Sequence, residues 1–118
     1  VTLGMLKACE KSLACLQKLK DNDGLTWAKP DYKVKYLMDN VEVIGGLLAA
    51  EAIFNKAKDN LKAKAAADQA ADIAKGLANY WDPKEKKFRW ALHPNGVYDG
   101  GFDKMYPQGL ANLFAVAH

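Results

Sequence analysis

The sequence predicts an all-α fold: helical hairpins, with four main helices, long aromatic loops and a short β-hairpin in the second loop. Three observations carry this. Apolar residues recur at three- and four-residue steps in two long segments. Two other segments are apolar on nearly every side, as buried helices are. The order of one-sided helix, long loop and wholly apolar helix then occurs twice along the 118 residues.

The first one-sided segment, "GMLKACEKSLACLQKLK", aligns Leu6, Cys9, Leu13 and Leu16 on one stripe with lysines opposite, which predicts a helix over residues 2–19. "DNDG" ends it with turn chemistry. Pro30 marks residues 25–36 as a loop with room for a short extended piece. A second helix is expected from Met38, where Asp39 and Glu42 have capping-box spacing. Its body, "VEVIGGLLAAEAIF", predicts burial on all sides. The Gly45-Gly46 pair lowers helix propensity and predicts a close helix–helix approach. After a connector at 55–60 comes an alanine-rich helix over 61–80, with Leu61, Ile73, Leu77 and Tyr80 on its apolar side. Residues 81–106 form the second long loop. There "PNG" is a turn signal between "KFRWAL" and "VYD", the expected β-hairpin. The fourth helix starts near Pro107, a good first-turn residue.

An offset of 63 residues relates the halves: Trp27-Ala28 to Trp90-Ala91, Gly46-Leu47 to Gly109-Leu110, and Ala52-Ile53 to Ala115-Val116. The expected organisation is one partial domain of two hairpins, about 1–55 and 56–118. With antiparallel neighbours, both long loops emerge at the same end. The apolar helices need neighbours on several sides, which suits a larger ring or a close oligomer.

Composition narrows the function. Half the residues are hydrophobic and 26% charged, as in globular domains and unlike disordered chains. A net charge of +3, with scattered lysines, is a weak footprint for nucleic acid, so no nucleic-acid partner is expected. No apolar run is long enough to span a membrane, so no membrane partner is expected. Cys9 and Cys15 lie six apart on a helix and do not face each other, so they read as small buried hydrophobes. His93 and His118 lie far from them, and no zinc spacing occurs. "DGGFD" lacks the EF-hand spacing, and no strand precedes a glycine-rich nucleotide fingerprint. Neither a metal nor a cofactor is expected.

Nine of the twelve aromatic residues fall in or beside the loops, all three tryptophans among them. Rings at one end of a bundle can stack on the flat faces of sugars and offer N–H and O–H groups to hydroxyls. Alternatively they form a small core beneath the loops. Trp27, Tyr36, Trp90 and Tyr106 are the candidates for facing a ligand, with Asp31 and Asp99 beside them. Glycoside hydrolysis needs two acids across the scissile bond. Asp39 and Asp103 precede or open the two apolar helices and are the catalytic candidates. Helix capping is the competing role for Asp39.

"DGLTWAKPDYKVKYLMDNVEVIGGLLAAEAIF", "YWDPKEKKFRWAL" and "FDKMYPQGLANLFAVAH" together resemble the six-hairpin glycosidases, (α/α)6 toroids related to family 8 glycoside hydrolases. The resemblance covers most of the chain and rests on texture, not on a diagnostic motif. It implies a ring of alternating inner and outer helices that binds and cleaves polysaccharide at one end, with a carbohydrate as partner. Six such units need about 380 residues, so the chain would be a fragment of about a third of the ring, or would assemble with copies of itself. The alternative expectation is a non-catalytic helical-repeat module that binds protein or glycan. A toroidal epimerase or lyase would need His, Tyr or Arg bases, and the chain has two histidines and one arginine.

Overall fold

The structure is a computed structural model that describes residues 1–117, so His118 lies outside the described residues. Helix α1 (Leu3–Leu19) is capped by Thr2, whose hydroxyl accepts the Met5 N–H at 3.2 Å. Strand β1 (Lys35–Tyr36) runs straight into α2 (Leu37–Lys56). After a connector at 57–59, Asp59 caps α3 (Asn60–Ala78) by accepting the Lys62 N–H at 3.1 Å. Strands β2 (Trp81–Asp82), β3 (Lys87–Phe88), β4 (Ala91–Leu92) and β5 (Tyr98–Asp99) follow. A wide turn, Met105–Gly109, contains a cis Tyr106–Pro107 bond and leads into α4 (Leu110–Ala117).

The expectation of an all-α chain is corrected. Beside four helices stand two small antiparallel sheets, of order β1-β4-β5 and β2-β3, so the architecture is mixed. The cause lies in the loops. Their backbone N–H and C=O groups need partners, and the loops supply them to each other. The hairpin expected around "PNG" forms as β4 and β5, closed by the His93 N–H on the Val97 carbonyl at 2.9 Å. What sequence reading missed is β1, from the first loop, pairing with β4 from the second: Lys35 faces Leu92, and Tyr36 faces Ala91. The Leu37 N–H also donates to the Trp90 carbonyl at 3.0 Å.

That bond explains a second correction. The capping box does not form: the N-cap of α2 is Tyr36, without a side-chain cap bond, and Asp39 lies inside the first turn. The β-sheet satisfies a helix-start donor that a side chain would otherwise take.

The core lies between α2 and α3 and under the loops, where Leu37, Leu47, Phe54, Ile73 and Tyr80 are fully buried. Ala63, Ala66 and Ala70 let α3 approach α2 closely. Gly76 has a specific purpose: a Cβ there would meet the Leu25 side chain at 2.8 Å, so the glycine admits the first loop onto α3. Helix α1 is peripheral. Its stripe of Leu6, Cys9, Leu13 and Leu16 packs on the core only partly buried. Gln17 donates to Gln69 at 2.8 Å, and Lys62 pairs with Glu10, tying α1 to α3. Two expectations fail on α2 and α3. Leu61 is 85% exposed, because it sits in the first turn of α3, out at the end of the helix. Gly45 and Gly46 are exposed, and no atom from elsewhere in the described residues lies within 4 Å of where their Cβ atoms would be, so no described helix approaches them closely.

Candidate functional site

Two polar locks hold the loops. Asn40 is fully buried. Its carbonyl oxygen accepts the Thr26 N–H at 2.8 Å and the Thr26 hydroxyl at 3.2 Å, and its amide donates to the carbonyls of Thr26 and Tyr36 at 3.2 and 2.9 Å. Lys35, nearly buried, donates to Asp21 and Asp23, each at 2.7 Å. Burial would pull the Lys35 ammonium down, but the hydrogen bonds to Asp21 and Asp23 more than offset it, and the net shift is upward. The Lys35 hydrogen bond holds the Asp21 carboxyl below its ordinary range, with help from the Asn22 N–H. Tyr80, fully buried, donates its hydroxyl to the Lys35 carbonyl at 2.6 Å.

On this frame the β1–β4 pairing brings Tyr36 and Trp90 together. Their rings lie 6.1 Å apart with an interplanar angle of 8°. They line a cleft of about 400 Å³ with Met38, Asp39, Tyr106, Pro107 and Ala111. Tyr106 and Pro107 stand on its wall. The Tyr36 hydroxyl shares a hydrogen bond with Tyr32 at 3.4 Å. That bond, then burial and the nearby Asp39 and Tyr106, push the Tyr36 phenol up to about 12. Loss of hydration raises the Asp39 carboxyl above its ordinary value, and Glu42 one turn on adds to the rise. Asp39 is nevertheless exposed at the surface, so solvent screens this rise. The Trp90 indole N–H is buried and has no hydrogen-bond partner.

Of the eight residues expected at a site, the fold gathers Tyr36, Asp39, Trp90 and Tyr106 in this cleft. Trp27 lines a separate hollow of about 420 Å³ with Asp21, Asp23 and His93, and Lys33 Nζ lies 3.3 Å from its ring centroid. Asp31 is exposed at the tip of the first loop. Asp99 lies in β5, where it accepts the Gly101 N–H at 3.3 Å and stands 3.9 Å from His93 Nε2. Asp103 is exposed, and the cleft is lined without it. Tyr32 and Asn40, which set Tyr36 and the loop, were not anticipated. A lone tyrosine and an Asn inside an apolar helix carry no spacing signal.

Among the described residues, larger hollows of about 590 Å³ between α1 and α3 and about 540 Å³ among α2, α3 and α4 contain neither Trp nor Tyr, whereas one of about 510 Å³ between α1 and α2 is lined by Trp27 and Asp39. Among the described residues no group of three His, Cys, Asp or Glu side chains is placed to hold a metal ion. No described helix is long and apolar enough to cross a membrane. A scan against protein-family models returns no match, and neither does a search of curated proteins.

Proposed function

We propose that the cleft is a carbohydrate subsite, part of a glycoside hydrolase centre in which Asp39 is the proton donor. The observation that carries this is the parallel Tyr36–Trp90 pair beside a carboxyl whose proton is held more tightly than usual. Rings with polar edges suit a pyranose face, and a raised carboxyl suits protonation of a glycosidic oxygen. The exposed Tyr106 carries a hydroxyl that can hydrogen-bond sugar hydroxyls. Asp103 stays a candidate for the second acid only if it moves to the cleft.

One observation favours a second reading. Among the described residues the cleft is lined by one carboxylate, Asp39, whereas hydrolysis uses two. A glycan-binding module without turnover needs only the ring pair. The test is titration of neutral oligosaccharides of differing linkage by tryptophan fluorescence, with release of reducing ends followed in parallel. Hydrolysis predicts release that Asp39→Asn abolishes while affinity stays within about threefold. Saturable binding without release selects the binding module. Absence of binding by every oligosaccharide rejects both.

A further inference from the structure

Asp39 lines two hollows. One is the cleft of the Tyr36–Trp90 pair; the other is the hollow of about 510 Å³ between α1 and α2. The two adjoin at this exposed side chain, in the first turn of α2. A molecule seated on the ring pair can therefore extend past Asp39 into the second hollow.

The chemistry of that hollow differs from that of the cleft. Its walls are Leu16 and Leu19 from α1, Val43 and Gly46 from α2, and Trp27 and Ala28 from the arm of the first loop. Its hydroxyls and the N–H groups of the arm are already spent. The Ser12 hydroxyl donates to the Ala8 carbonyl at 2.9 Å, and the Thr26 hydroxyl to the Asn40 side-chain oxygen at 3.2 Å. The Trp27 N–H donates to the Leu19 carbonyl at 2.9 Å, and the Ala28 N–H to the Val34 carbonyl at 2.8 Å. Among the described residues, the charged groups lining it are the exposed Asp39 and Glu42. A sugar unit there would find few partners for the hydroxyls turned to these walls. An apolar group needs none, and it gains by leaving water.

We propose that the site takes a soluble glycoside of a small apolar alcohol. The sugar lies on the Tyr36–Trp90 pair, the apolar substituent lies between α1 and α2, and the glycosidic oxygen lies beside Asp39. A volume of about 510 Å³ is within the range of small-ligand pockets. The inference rests on the saccharide reading of the cleft and adds the chemistry of the ligand's other half. It holds whether the site cleaves the bond or only binds.

Calorimetric titration of the full chain tests this with the methyl glycoside, the hexyl glycoside and a disaccharide of one sugar, the terminal unit of the tightest-binding oligosaccharide. The hexyl glycoside should bind at least about tenfold more tightly than the methyl glycoside. Gly46→Gln fills the hollow from an exposed position, where no atom from elsewhere in the described residues lies within 4 Å of the Cβ site. It should bring the two affinities within about twofold of each other. Trp27→Ala removes an apolar wall and should lower the hexyl affinity; it replaces Gly46→Gln if circular dichroism shows that variant unfolded. Equal wild-type affinity for the two glycosides overturns the inference and leaves the saccharide reading standing. So does a hexyl advantage that survives Gly46→Gln. A disaccharide that binds as tightly as the hexyl glycoside also overturns it, by giving the hollow to a second sugar. If neither glycoside nor the disaccharide binds, the saccharide reading itself falls, and the inference with it.

Discussion

Tyr36 and Trp90 come from different halves of the chain, yet their rings lie within 8° of parallel because Tyr36 pairs with Ala91, the neighbour of Trp90. The pair is therefore a product of the sheet, and it should respond to changes in either ring.

Trp90→Ala removes one ring of the pair and about 1 kcal/mol of stacking beyond area burial. Oligosaccharide affinity should fall about fivefold or more, and Trp90→Phe should retain most of it. Calorimetric titration checks this. Equal affinity in Trp90→Ala and wild type would remove the ring from the subsite.

Asp39 is raised in the folded state, so between its unfolded and folded values the native chain binds more protons. Stability therefore declines as pH rises through that window. Asp39 is exposed and solvent screens the effect, so Asp39→Asn should be more stable than wild type at neutral pH by about 0.5 kcal/mol at most, and equal to it below the unfolded value of about 3.9. Urea midpoints at both pH values measure the difference. A variant less stable at neutral pH would mean that the helix start governs the carboxylate.

Asn40→Leu leaves the Thr26 N–H and two carbonyls without their side-chain partner in a buried place. The cost should be about 2–4 kcal/mol, or roughly 10 °C in melting temperature. A calorimetric scan that finds a loss below about 1 kcal/mol would show the loop to be held elsewhere.

Lys35→Met strands Asp21 and Asp23 without their cation. These carboxylates are partly exposed, so the loss at neutral pH should be about 1–3 kcal/mol, less than for a sealed pair. Asp21 is lowered in the folded state, so its contribution is present above the unfolded carboxylate value and disappears as pH falls through the lower folded one. The gap between variant and wild type should therefore narrow in acid, which denaturation at neutral and strongly acidic pH would reveal.

The helices were legible because periodicity over 17–20 residues is a long signal, and α1 starts within one residue of its expected position. Strands of two residues have no period to read. That is why the pairing of β1 with β4 went unseen and the fold was taken for all-α. Capping, the role that competed with catalysis for Asp39, is not what the structure shows, because the N-cap of α2 is Tyr36, one turn before Asp39, and the Leu37 N–H is taken by the Trp90 carbonyl. Of the eight expected residues the cleft brings together four, and where each one falls depends on strand register, which composition does not encode.

Because β1 finds its partner only in β4, the first loop cannot complete its hydrogen bonding until the second has been made. The two halves are thus joined into one cooperative folding event, despite their similar order of elements. A chain cut at 57–59 would leave its first half with an intact helix pattern and a frayed arm. Mixing the two pieces should recover the arm through complementation.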